Sequence, residues 1–84
     1  MDSIHVKDFE KKYGAKITDD EFISKNLLKK EGIEKLLAKS RSDYYSTNNY
    51  YPRVRLASFL LGRKSRLVDN DISNYLITHS QQKD

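Results

Sequence analysis

Two apolar triplets with the same spacing, Ile33-Leu36-Leu37 and Ile72-Tyr75-Leu76, constrain this chain most. Positions i, i+3 and i+4 share one face of an α-helix, so each triplet predicts a helix with one buried side. The first helix is expected over 29–37, with Lys29, Lys30, Glu34 and Lys35 largely outward. Gly32 inside it costs about 1 kcal/mol relative to Ala, and a residue that small lets a second helix come close. The second triplet predicts a helix over 69–79, capped by Asp69 or Asn70. Between the two, Ala38-Lys39 reads as a tight connection and Ser40 as the N-cap of a short helix over 40–48, with Asp43 three residues on. Pro52 pushes Tyr51 toward extended geometry, so that helix must end by Asn48-Asn49. Arg53-Val54-Arg55-Leu56 alternates as a half-buried strand does. Gly62 breaks the apolar run that follows, and 64–68 returns as a second strand, giving a basic hairpin within 53–68. The expected core is Ile33, Leu36, Leu37, Leu56, Leu67, Ile72, Tyr75 and Leu76.

Upstream, Phe9 and Tyr13 lie four apart and Gly14 stands where a helix C-cap belongs. Thr18-Asp19-Asp20-Glu21 has the capping-box pattern, with a short helix from Asp19 to about Ser24 behind it and Phe22 and Ile23 for the core. The chain of 84 residues is long enough for one domain. It divides into an N-terminal helical extension (1–25), a core domain (26–79) and a polar tail (80–84). With no cysteine there is no disulfide framework, zinc-thiolate site or cysteine nucleophile. The start lacks the pattern of a secretory signal, and the longest apolar run, Phe59-Leu60-Leu61, is far too short to span a bilayer. A cytoplasmic protein with no membrane contact is expected.

Charge is distributed unevenly. Residues 1–34 hold seven Lys/Arg against eight Asp/Glu, residues 35–68 hold eight against one, and residues 69–84 hold one against three. Concentration of basic charge in the middle third is the footprint of a polyanion binder. Five of those eight cations are Arg, whose planar fork suits phosphates and base edges.

The segment from Leu27 to about Thr78 resembles AlpA-type phage regulators and related excisionases, the recombination directionality factors. The resemblance rests on Lys30-Glu31, the paired Leu36-Leu37, Ser40-Arg41-Ser42, Tyr45, Tyr51-Pro52, the run Gly62-Arg63-Lys64-Ser65-Arg66-Leu67-Val68, and Asp71-Ile72-Ser73-Asn74-Tyr75-Leu76. The chain departs from the family at Ala38, where Gly is usual, and at Lys39, where an apolar residue is usual. The resemblance implies a mainly α fold with a small β-hairpin, a winged helix-turn-helix. It implies a sequence-specific DNA-binding protein of a phage or mobile element that acts as excisionase, transcriptional regulator or both. Expected partners are double-stranded DNA, an integrase, and further copies of the chain on tandem sites.

The expected contacts follow. Ser40, Arg41 and Ser42 stand at the start of the recognition helix, where Arg41 would read guanine and the serines would anchor phosphate. Tyr45, by the resemblance, and Asn48 lie further along it. Arg53 and Arg55 flank the first strand, and Arg63, Lys64 and Arg66 form the wing, which follows the backbone or enters a narrow minor groove. About 4–6 neutralised phosphates would fit this set. Catalysis finds no support: His5 and His79 lie in the terminal segments without metal-ligand or triad spacing, and glycines at 14, 32 and 62 cannot form a phosphate loop. No cofactor is expected. From another class, a protein-interaction module such as a phage-encoded inhibitor or adaptor is favoured by Tyr44, Tyr45, Tyr50 and Tyr51, since Tyr is enriched at interfaces.

Overall fold

A computed structural model describes residues 3–43 and 51–77 of the chain. It is mainly helical: α1 (Ile4–Tyr13), α2 (Asp20–Asn26), α3 (Lys30–Asp43), α4 (Tyr51–Leu60), α5 (Lys64–Val68) and a 3₁₀ helix, α6 (Asn70–Tyr75). Helix α4 is the centre. It is buried at Pro52 and from Arg55 through Leu60, and α1, α3 and α5 pack around it. Val6 and Phe9 of α1, Ile17 of the following loop and Ile23 of α2 belong to the same core as Ile33, Leu36, Leu56, Phe59 and Ile72.

Local chemistry explains most of the ends. The Ser3 hydroxyl accepts from the His5 N–H at the start of α1. Gly14, at φ +66°, closes α1 with its N–H on the Glu10 carbonyl. Asp19, rather than Thr18, caps α2, its Oδ1 accepting from the Phe22 N–H at 3.1 Å. Gly62, at φ +74°, ends α4 in a Schellman motif: the Gly62 N–H bonds the Phe59 carbonyl and the Arg63 N–H bonds the Ser58 carbonyl.

Three expectations are corrected here. Helix α3 runs unbroken through Ala38 and Lys39, so Ser40, Arg41 and Ser42 sit near its C-terminal end instead of opening a second helix. Ala and Lys are strong helix formers, and neither residue supplies the conformation a tight turn requires. Among the described residues there is no β-hairpin: residues 53–68, expected to form the wing, lie in α4, α5 and the turn between them. Pro52 is accommodated in the first turn of α4, where its missing N–H costs no helical bond. Leu67, expected in the core, is 81% exposed. Of the other expected core residues, Tyr75 is partly buried and the remaining six are buried.

The C-terminal segment returns to the start of α3. Leu28 and Leu76 form an antiparallel bridge, with the Lys29 N–H on the Tyr75 carbonyl and the Ile77 N–H on the Leu27 carbonyl, both 2.9 Å. Gly32 lies under this seam. A Cβ there would stand 2.5 Å from the Tyr75 Cβ and 3.0 Å from Leu28 Cδ1. Gly→Ala inside a helix ordinarily stabilises by about 1 kcal/mol. At Gly32 overpacking reverses the sign, and Gly32→Ala is expected to destabilise by about 1–3 kcal/mol in a denaturant melt. An increase in stability would show that the seam between α3 and α6 is looser than described.

Candidate nucleic-acid interface

The basic middle third meets acids contributed by both flanks. Arg53 Nη1 lies 2.6 Å from Asp20 Oδ1 and also donates to the Ile17 carbonyl. Arg63 Nη2 donates to Asp8 Oδ2 at 2.6 Å. Arg55 grips Asp69 with two bonds, Nε to Oδ2 at 2.8 Å and Nη2 to Oδ1 at 2.6 Å. Lys39 Nζ stands 3.0 Å from both Asp69 and Asp71. Half of the basic residues of segment 35–68 are thus joined to acids 14 to 55 positions away in sequence.

The ten expected contact residues separate accordingly. Ser40 and Arg55 are buried, so neither presents a face to DNA in this fold. Arg53 and Arg63 are half-buried and ion-paired. Arg66 Nε donates to the Phe59 carbonyl at 2.8 Å, and its guanidinium lies 4.9 Å from the Phe59 ring centroid. It covers the C-terminal carbonyls of α4, and burial pulls its pKa below the ordinary value. Arg41, Ser42 and Lys64 remain exposed. Tyr45 and Asn48 lie outside the described residues. The side chains of Lys35, Arg41 and Lys64 have no ion-pair partner among the described residues.

On α3, Lys35, Ala38, Arg41 and Ser42 are exposed at helical spacing, and no acid occurs from 35 to 42. Lys35, which was not among the expected contacts, stands on this exposed stripe; its signal in the sequence was the i, i+3 and i+6 register with Ala38 and Arg41. What this stripe can do is electrostatic: it presents two cations beside a small residue on the side of a helix. Arg41 lies in the last turn, where the helix dipole suits a cation but not a phosphate placed at the helix end. Among the described residues no group of His, Asp and Glu converges as metal donors do.

His5 is placed by contacts that its sequence position does not suggest. Arg63 Nη1 lies 3.1 Å from His5 Nδ1, and a guanidinium can only donate, so the imidazole proton sits on Nε2. No family model, curated protein or solved structure matches the chain.

Asp69 is fully buried. Burial pushes its carboxyl up, but the bonds from Arg55 and Lys39 outweigh this and hold its pKa below the ordinary value. Lys39 moves the other way, raised by its bonds to Asp71 and then Asp69. The contribution of Asp69 to stability is therefore complete above its ordinary value of about 4 and is lost as pH falls from there through the lowered folded value. That of Lys39 is complete below about 10 and is lost as pH rises through its raised folded value. Asp69→Ala is expected to cost about 3–5 kcal/mol at neutral pH, because the buried Arg55 would lose both of its bonds to this carboxylate. Asp69→Asn is expected to flatten the acid limb of a stability–pH profile measured by thermal melts. An unchanged acid limb would show that other carboxylates govern it.

Ser40 Oγ is buried without a hydrogen-bond partner. Removing an unsatisfied hydroxyl relieves a desolvation cost, so Ser40→Ala is expected to leave stability unchanged or raise it by about 1 kcal/mol. A clear loss of stability in a thermal melt would show that the hydroxyl is bonded.

Proposed function

We propose that this chain is a small helical DNA-binding protein that uses the side of α3. The observation that carries the reading is the exposed stripe Lys35, Ala38, Arg41 and Ser42, whose two cations have no ion-pair partner among the described residues. The chain as a whole carries a formal net charge of +4. Arg41 can pair with guanine or phosphate, Lys35 acts as a point charge on the backbone, and Ala38 between them lets a strand approach. An excisionase or regulator of a phage or mobile element, working with an integrase or by self-association on tandem sites, is the finer role. It rests on the resemblance noted above, in which Arg41 and Ser42 remain available.

Fewer phosphates are engaged than the sequence suggested, because Arg53, Arg55 and Arg63 are occupied within the fold. With two or three contacts, log K for duplex DNA is expected to fall against log salt with a slope of roughly −2 to −3. Lys35→Ala combined with Arg41→Ala should lower affinity and flatten that slope by about 2 while leaving the melt unchanged. Arg53→Ala should act mainly through stability. Binding that ignores salt, or a double variant with native affinity, would remove the proposed interface.

A further inference from the structure

A cleft of about 390 Å³ opens between the start of α1, one side of α4 and α5, at a distance in sequence from the α3 stripe. Tyr51, Val54 and Val68 give it an apolar lining, and His5, Ser58 and Lys64 supply polar groups. The exposed large apolar residues among the described ones flank it in sequence: Ile4 (65%) beside His5, and Leu67 (81%) with Val68 (60%) at the end of α5. Helix α5 buries none of its five residues, so Leu67 and Val68 do not serve the core of this chain. Contiguous exposed apolar surface rimmed by polar groups marks interaction sites in soluble proteins.

We infer that this cleft docks a short segment of another protein that carries apolar side chains flanked by carboxylates. The charge pattern selects that occupant. No Asp or Glu lines the cleft, and the other cation that lines it, Arg55, is bonded to Asp69 within the fold. Lys64 is exposed at its edge without an acid partner among the described residues. His5 contributes an Nε2–H donor, because its Nδ1 accepts from Arg63. An acidic apolar segment would seat its aliphatic side chains against Val54 and Val68, with Leu67 next to Val68 in sequence, and bring a carboxylate to Lys64. The cleft volume is at the small end for ligand pockets, which suits one or two side chains of a docked segment. This inference does not depend on DNA binding.

The test uses the full chain, labelled with ¹⁵N, and two probe peptide sets of twelve residues each. One set places Leu and Val between Asp and Glu, and the other replaces every acid with Lys. The acidic set should shift the amide resonances of His5, Val54, Lys64 and Val68, and the basic set should not. Leu67→Ser with Val68→Ser should weaken binding by about tenfold or more. Because both residues are exposed, the melt should be unchanged, and DNA affinity should be unchanged as well. Lys64→Glu should reverse the preference between the two sets. Resonances unmoved by both sets would overturn the inference, as would equal binding of the two. A dimer in sedimentation equilibrium that Leu67→Ser abolishes would overturn it in favour of a second copy of this chain. Binding to vesicles of anionic phospholipid, lost in the same double variant, would overturn it in favour of a lipid surface.

Discussion

The buried Arg55–Asp69 pair is the constraint on which the other contacts depend. Arg55 comes from the central helix α4, Asp69 from the joint between α5 and α6, and Lys39 of α3 reaches the same carboxylate. One buried anion therefore ties together three elements that are separate in sequence. Two charges removed from water are stabilising only when their geometry is good and their remaining bonds are met. Two bonds from one guanidinium, with an ammonium beside them, meet that condition. The arrangement also fixes direction, because α6 must begin where Asp69 can face α4.

This network changes the meaning of the charge distribution. A basic segment between acidic flanks has the footprint of a polyanion binder, and it is equally the pattern of a chain whose ends fold back onto its middle. Arg53 with Asp20, Arg63 with Asp8 and Arg55 with Asp69 are instances of the second. Charge that is neutralised inside the fold cannot steer a partner. Lys35 and Arg41 on α3 have no ion-pair partner among the described residues, so their charge is not neutralised in this way.

Helix α4 shows how a period of two can mislead. In Arg53-Val54-Arg55-Leu56 the polar positions resemble the outward face of a strand. Arg55 instead points into the interior, where Asp69 meets it, so the polar residue belongs to the buried set. Burial extends around most of α4, which leaves little amphipathic signal. A helix covered on several sides cannot be identified from a one-sided pattern. Gly62 then closes this helix with a left-handed residue, the same conformation that would have turned a hairpin.

Features governed by nearest neighbours were legible in the sequence. The Ile33-Leu36-Leu37 face, the burial of Ile72 and Leu76, the Gly14 cap and the onset of α2 within one residue all follow from local periodicity and capping. So does the absence of a long apolar helix: among the described residues none is long and apolar enough to cross a membrane. Tertiary structure decided what local chemistry left balanced. Ser40 is a good N-cap, yet it lies on the buried side of a continuous helix, since Ala38-Lys39 does nothing to stop α3. Arg41 and Ser42 kept their exposure, while Ser40 and Arg55 lost theirs, since exposure depends on which acids and helices arrive from distant positions. Leu67 looked like core and is exposed because α5 buries none of its residues. Backbone conformation is set over a few residues, whereas burial and charge pairing are set by contacts between segments tens of residues apart.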